Sequence, residues 1–232
     1  MGLACYIVKQ MKARAKPVYL LLIYKLLTSL GTSLFMPFFS LYFIELGGTP
    51  FWLGIVGSVS SFMLLCLNFY GGYLTDKYGN WLVFGALHVI SSIFMLLYSI
   101  AWSWEILLLL ILFATLFSFY GPALDALMAS IFREKERAMG YQLMEIIRRI
   151  VKLFSPLVAG LLVSTFGILS GVRIGIIVAG TLGITSGLLI LLFIRKMRIN
   201  FLNNKVNKTT RFIGAYLGLF KSVNKKLFSI IF

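Results

Sequence analysis

The residues of this 232-residue chain that could do chemistry are few, and they stand where charge is expensive. The stretch Glu145-Ile-Ile-Arg148-Arg149-Ile-Val-Lys152 sets three cations and one carboxylate in an otherwise apolar run, and Lys25 and Asp125 stand alone in two others. An ionisable side chain among apolar neighbours must find a partner, reach water or serve a ligand, because an unpaired buried charge is heavily penalised. On a helix, Arg148 and Lys152 share a face at four-residue spacing, while Glu145 reaches Arg148 or Arg149 at three and four. One cation is thereby neutralised locally. The excess positive field that remains suits an anionic group on a small solute; alternatively it pairs with Asp125 or Asp76 and only holds helices together. Lys152 lies roughly 22 Å along the helix from Arg137, at mid-membrane depth if that run spans a bilayer. Lys25, about 12 Å in from the basic tail, either snorkels back to the interface or joins this field. Asp125, about 12 Å in from Arg133, either pairs with the 148–152 cations or belongs to a gate.

A second polar stretch has a different character. Gly-Gly-Tyr-Leu-Thr-Asp-Lys-Tyr-Gly-Asn, residues 71–80, interrupts two long apolar runs. Gly72 and Gly79 permit a sharp reversal, and Asp76 needs a cation or a helix N-terminus if it is tucked against other helices. The plain alternative is a solvated hairpin. Catalysis finds no support. His88 is the single histidine, Cys5 and Cys66 are far apart, and no nucleophile–base pair, metal-ligand cluster or phosphate-binding loop is present in the sequence. The expectation is therefore a protein that is not an enzyme and has neither cofactor nor metal.

The elements that must position these charges follow from composition. Apolar residues make up 60% of the chain, charged residues 12%, and the mean hydropathy is +0.95. That is membrane-protein composition, with the lipid bilayer as its first partner. Six stretches are long and apolar enough to cross: 18–44, 51–74, 81–104, 106–132, 138–172 and 174–194. None alternates with the period of a barrel strand, so an all-α bundle of six transmembrane helices is expected. Seventeen basic residues fall on one side of these spans, in the N-terminal tail, at Lys77, at Arg133, Lys135 and Arg137, and after Ile194; Arg173 alone falls on the other. The positive-inside rule then makes both termini cytoplasmic, in a multi-pass cell-membrane protein. Net charge is +15, yet the basic residues form no interleaved basic and aromatic face, so a nucleic-acid partner is not expected. The organisation reads as a basic tail over 1–16, the bundle over 17–198, and a basic loop over 199–232. That last part holds an amphipathic helix near 212–220 and what looks like the start of an incomplete seventh span.

Gly72-Tyr-Leu-Thr-Asp76-Lys77-Tyr-Gly79 resembles the signature that the major facilitator superfamily carries between its second and third helices. Arg133-Glu-Lys-Glu136-Arg137-Ala-Met-Gly140, preceded by Gly121-Pro122, resembles that family's loop between helices four and five, and Ser155-Pro156 with Gly160 resembles its fifth helix. The likeness runs from about 17 to 198. It implies one six-helix half of a secondary transporter that moves a small solute by alternating access. It also implies that Asp76 latches the two halves on the cytoplasmic side, with Lys77 as its neighbour and Gly72 and Gly79 forming the turn. His88 would lie in the third helix, which the family places at the bundle periphery. Asn80 and Trp81 stand where the family's first loop has basic residues. Phe117 replaces a helix-four arginine, and Ser155 replaces a glycine. These departures stand against proton-driven drug antiport and leave the family likeness intact. The implied partner is a second transporter half or a second copy of the chain; the alternative is a non-transporting remnant or partner subunit.

Overall fold

In the computed structural model, residues 15–132 and 134–197 are described, and every regular element among them is helical. Helix α1 runs Ala15–Phe35 and α2 runs Phe39–Glu45, joined by a 3₁₀ turn at Met36–Phe38. Helix α3 is Pro50–Tyr78, α4 is Asn80–Leu97, α5 is Trp104–Leu116 and α6 is Gly121–Ile131. Helix α7 extends from Glu134 to Met197 and is interrupted by a non-helical residue, Gly167, at φ 80° and ψ 168°. The chain divides into two compact units, Met1–Ile194 and Arg195–Phe232; all of these helices except the last residues of α7 belong to the first. The tail, the amphipathic stretch and the expected seventh-span start lie outside the described residues.

Five stretches are apolar and long enough to cross a bilayer: Pro17–Glu45, Pro50–Tyr78, Asn80–Ile100, Trp104–Ile131 and Arg137–Phe193. The first four match the expected spans in place. The fifth covers the last two expected spans together, and the boundary expected at Arg173 falls at Gly167. Glycine rather than charge sets it, because only glycine adopts that positive-φ backbone without strain. A Cβ placed on Gly171 would lie 2.8 Å from the Leu162 carbonyl and 2.9 Å from Val163 Cα, so the chain has folded back on itself around Gly167. Pro156, by contrast, sits inside the first arm of α7 with no non-helical dihedral at it. Pro37 does break its helix, within the 3₁₀ turn.

Two buried clusters hold the bundle. One joins Leu21 and Tyr24 of α1, Phe84 of α4, Leu127 and Met128 of α6, and Ile190 of α7. The other joins Phe35, Tyr42 and Phe43, Leu107 of α5, and Val172 and Ile176 of α7. Small residues on the second arm of α7 let neighbouring backbones come close. A Cβ on Gly31 would meet Ala179 Cα at 2.7 Å, and one on Gly183 would meet Ser92 Oγ at 2.4 Å. The glycine spacing along 171–187 is therefore spent on packing inside the bundle. The His88 side chain faces the inside of the bundle from its helix. It is buried, 3.2 Å from Ser186 Oγ and ringed by Tyr24, Phe84 and Tyr120. Ser186 already donates to the Gly183 carbonyl, so Nε2 of His88 is the donor between them.

Candidate functional site

The 71–80 stretch is mostly helix. Residues 71 to 78 form the last two turns of α3, and the reversal into α4 is made by Gly79 alone, at φ 96° and ψ 144°. Its N–H closes the helix by donating to the Thr75 carbonyl at 2.9 Å. Gly72 does not form the turn: it is helical, and a methyl group placed on it would meet nothing within 4 Å. The close approach belongs to its neighbour. A Cβ on Gly71 would lie 2.6 Å from the Phe119 carbonyl, where the 117–120 segment separates α5 from α6. Thr75, one turn on and buried, donates its hydroxyl to the Gly71 carbonyl at 2.7 Å. Sequence reasoning does not single out Gly71 and Thr75 as contact residues, although small residues four apart on one helix are the available signal.

Opposite that packed face, Asp76 and Lys77 are exposed. The Lys77 ammonium stands 5.8 Å from the Tyr73 ring centre and 5.2 Å from that of Tyr78, within cation–π range of both. Asp76 has neither ion pair nor hydrogen bond among the described residues. The turn between α6 and α7 is pinned from both sides. Arg137 donates from Nη2 to the Ala129 carbonyl at 3.2 Å, and Gly140 is buried against the Phe132 ring. Arg133 and the Glu136 side chain lie outside the described residues.

The charges of the first arm of α7 gather as their spacing requires. Glu145 accepts from Arg148 Nε at 2.8 Å through one oxygen, and from Arg148 Nη2 and Arg149 Nε, the latter at 3.1 Å, through the other. The single carboxylate is thus shared by two arginines rather than one. Lys25 is half-buried on α1. Lys152 is exposed on the bundle. Asp125 does not pair with the 148–152 cations. Among the described residues its partner is the Tyr141 hydroxyl, which donates to Oδ1 at 2.8 Å. Helical geometry explains this: Tyr141 precedes Lys152 by about 16 Å of rise, too far for one carboxylate to serve both. Among the described residues Glu145 is therefore ion-paired with Arg148 and Arg149 alone, and the Lys25 and Lys152 side chains have no ion pair.

A chain whose described residues form only helices, with five apolar stretches of membrane-crossing length and ionisable side chains inside them, is a multi-pass membrane protein. The family model described as the Major Facilitator Superfamily matches residues 21–231, and the chain belongs to that superfamily of transporters. No curated protein matches the chain.

Proposed function

We propose that the described bundle is one six-helix half of a secondary transporter in the cell membrane. It moves a small solute bearing an anionic group by alternating access, together with a second half. The observation that carries this reading is the pair of arginines, Arg148 and Arg149, on the one carboxylate of Glu145, with Lys25 and Lys152 as further cations inside membrane-crossing segments. Charge of one sign in excess within membrane-crossing segments is costly and marks a solute or ion path. Superfamily membership supplies the transport class.

The six-helix count is supported by length and by the reversal at Gly167. The 57-residue stretch Arg137–Phe193 would extend about 86 Å as one rod, nearly three times the roughly 30 Å hydrocarbon core. Two antiparallel arms meeting at Gly167 fit that thickness. The basic asymmetry favours cytoplasmic termini, which brings the 71–80 turn to the cytoplasmic side. There Asp76, exposed and without an ion pair or hydrogen bond among the described residues, serves as the latch that takes a cation or helix N-terminus from the second half.

Uptake tests this reading. The chain, reconstituted in liposomes with a second half supplied as a separate or fused six-helix unit, should accumulate an anionic solute, and Lys152→Met should abolish that uptake. Equal uptake by the variant, or none by either protein against a panel of anions, would favour the non-transporting alternative. Orientation is read from impermeant thiol labelling in a background free of native cysteines: a cysteine replacing Gly48 should react from outside and one replacing Asn204 should not.

A further inference from the structure

The fourth apolar stretch, Trp104–Ile131, is long enough to cross a bilayer, yet it is not one helix. Helix α5 gives it 13 residues and α6 gives it 11. The break at 117–120 therefore has about 20 Å of helix on one side and about 17 Å on the other, which sets unwound backbone near the middle of the span. Pro122 keeps the two pieces apart, because it has no N–H to offer the Ser118 carbonyl four residues back. Among the described residues the carbonyls of Leu116, Phe117 and Ser118 accept no hydrogen bond. Non-helical backbone at this depth is tolerated only inside protein or beside water, and the carbonyl end of a half-helix carries negative partial charge.

Side-chain oxygens from two neighbouring helices reach the break. From α4, Ser91 Oγ is 3.1 Å from Ser118 Oγ. Ser118 gives its one proton to the Ala114 carbonyl, so Ser91 is the donor between them and its own lone pairs stay free. From α3, Asn68 Oδ1 lies 3.8 Å from the place a Cβ would take on Gly121, and the Asn68 amide makes no hydrogen bond among the described residues. Phe117, Ser118 and Ser91 are half-buried, while Gly121 and Asn68 are exposed, so these oxygens can be reached from outside the core. Asp125 is also exposed, one turn beyond Gly121 on the same face of α6; among the described residues only its Oδ1 is engaged, by Tyr141.

We propose that the break between α5 and α6 binds a hard monovalent cation of the alkali class, held by the free carbonyls together with Ser91 Oγ and Asn68 Oδ1, and drawn there by the Asp125 carboxylate. Carbonyl, hydroxyl and amide oxygens are the ligands a hard cation takes, and one carboxylate balances one positive charge rather than two. Carbonyls freed where a membrane helix is interrupted are suited to this use, since they need a partner that lipid cannot supply. The bound ion ties α3, α4 and both half-helices to one point. This site is separate from the 145–152 charges and does not depend on the anionic-solute reading.

The test uses the full chain in phosphatidylcholine discs at pH 8 in choline chloride, with radiolabelled sodium as the probe. Sodium should bind saturably and lithium should compete, whereas choline, whose charge is shielded by methyl groups, should not. Asn68→Asp adds a charge at nearly constant size and should tighten sodium binding by about tenfold or more. Asn68→Leu and Ser91→Ala, which remove neutral oxygens, should each weaken it about fivefold. Pro122→Ala restores an N–H for the Ser118 carbonyl and should weaken binding as well. Gly72→Ala, where a methyl group meets nothing within 4 Å, should leave it unchanged. If Pro122→Ala or Asn68→Leu fails to assemble, Asn68→Asp and Ser91→Ala carry the readout. No saturable binding beyond that of discs without protein, or binding that Asn68→Asp and Ser91→Ala leave unaltered, would overturn the proposal. Sodium binding by a chain that moves no anion would preserve this site and remove the transport reading. Anion uptake by a chain that binds no sodium would do the reverse.

Discussion

The end of α3 and the middle of α7 carry charge in opposite ways. At 71–80 the backbone is finished and the charge is not: Gly79 makes the turn, Gly71 and Thr75 seat the helix, and Asp76 is left without a partner among the described residues. At 145–152 the geometry is plain uninterrupted helix, and the charges themselves are sorted, two arginines onto Glu145 and two lysines unspent. The first region leaves an exposed carboxylate and ammonium at a helix end, and the second leaves an ion-paired arginine pair with further cations inside membrane-crossing segments. A charged signature in a membrane protein is thus informative less by how many charges it holds than by which of them the fold has already used.

The seating of α3 is the place to break this contrast hardest. Gly71→Leu drives a branched side chain into the Phe119 carbonyl, and overpacking of this kind costs about 1–3 kcal/mol or more. Thermal unfolding in detergent should show a clear loss of stability, while Gly72→Leu, which faces open space, should change little. Similar losses for both would mean that the Phe119 contact does not seat the helix. Gly79→Ala comes next. A methyl at φ 96° should cost about 1–3 kcal/mol of strain and lower the same transition, without disturbing the 145–152 charges. Asp76→Asn should have the smallest effect on the bundle, leaving its unfolding temperature unchanged. Its effect should appear only with a second half present, as slower transport and a shift of about five- to 150-fold in the conformational balance, read from the accessibility of a cytoplasmic reporter cysteine. Unchanged accessibility and transport would reduce the 71–80 stretch to a solvated turn.

The positions of the apolar helices are legible because twenty-residue hydrophobic runs have few other uses. The sharing of Glu145 between Arg148 and Arg149 is legible because spacings of three and four on one helix fix who can meet. What cannot be read is contact between helices. Nothing in the neighbourhood of Leu21 announces that α1 shares a buried cluster with Met144 of α7, and nothing around His88 says that its ring points inward to Ser186. Arg173, the only charge in its region, suggests a reversal at its own position. The reversal occurs at Gly167 because a tight turn is governed by which residue tolerates positive φ, and in a chain with 21 glycines that choice is not visible locally. Gly72 misleads for the same reason: a glycine's type reports permission, and its place in the fold decides whether the permission is used.

The reversal at Gly167 also bears on how the protein is made. The tip over 164–170 contains Ser, Thr, Phe, Gly, Ile and Leu and no ionisable side chain, so two arms joined there can enter the bilayer as a single hairpin at little electrostatic expense. Arg173 is the one charge that must travel with the tip, at an insertion cost of about 2.5–3.5 kcal/mol if it were held at mid-membrane. In the finished bundle its Nη2 donates to the Ala101 carbonyl at 2.8 Å, just ahead of α5, an acceptor that exists only once α4 and α5 are in place. The contact predicts an order of assembly in which the earlier helices dock first and the hairpin is captured onto them by its arginine. Arg173→Leu should therefore speed hairpin insertion in a translation–insertion assay and slow acquisition of the protease-resistant bundle. An unchanged rate of bundle formation would show that capture does not depend on this contact.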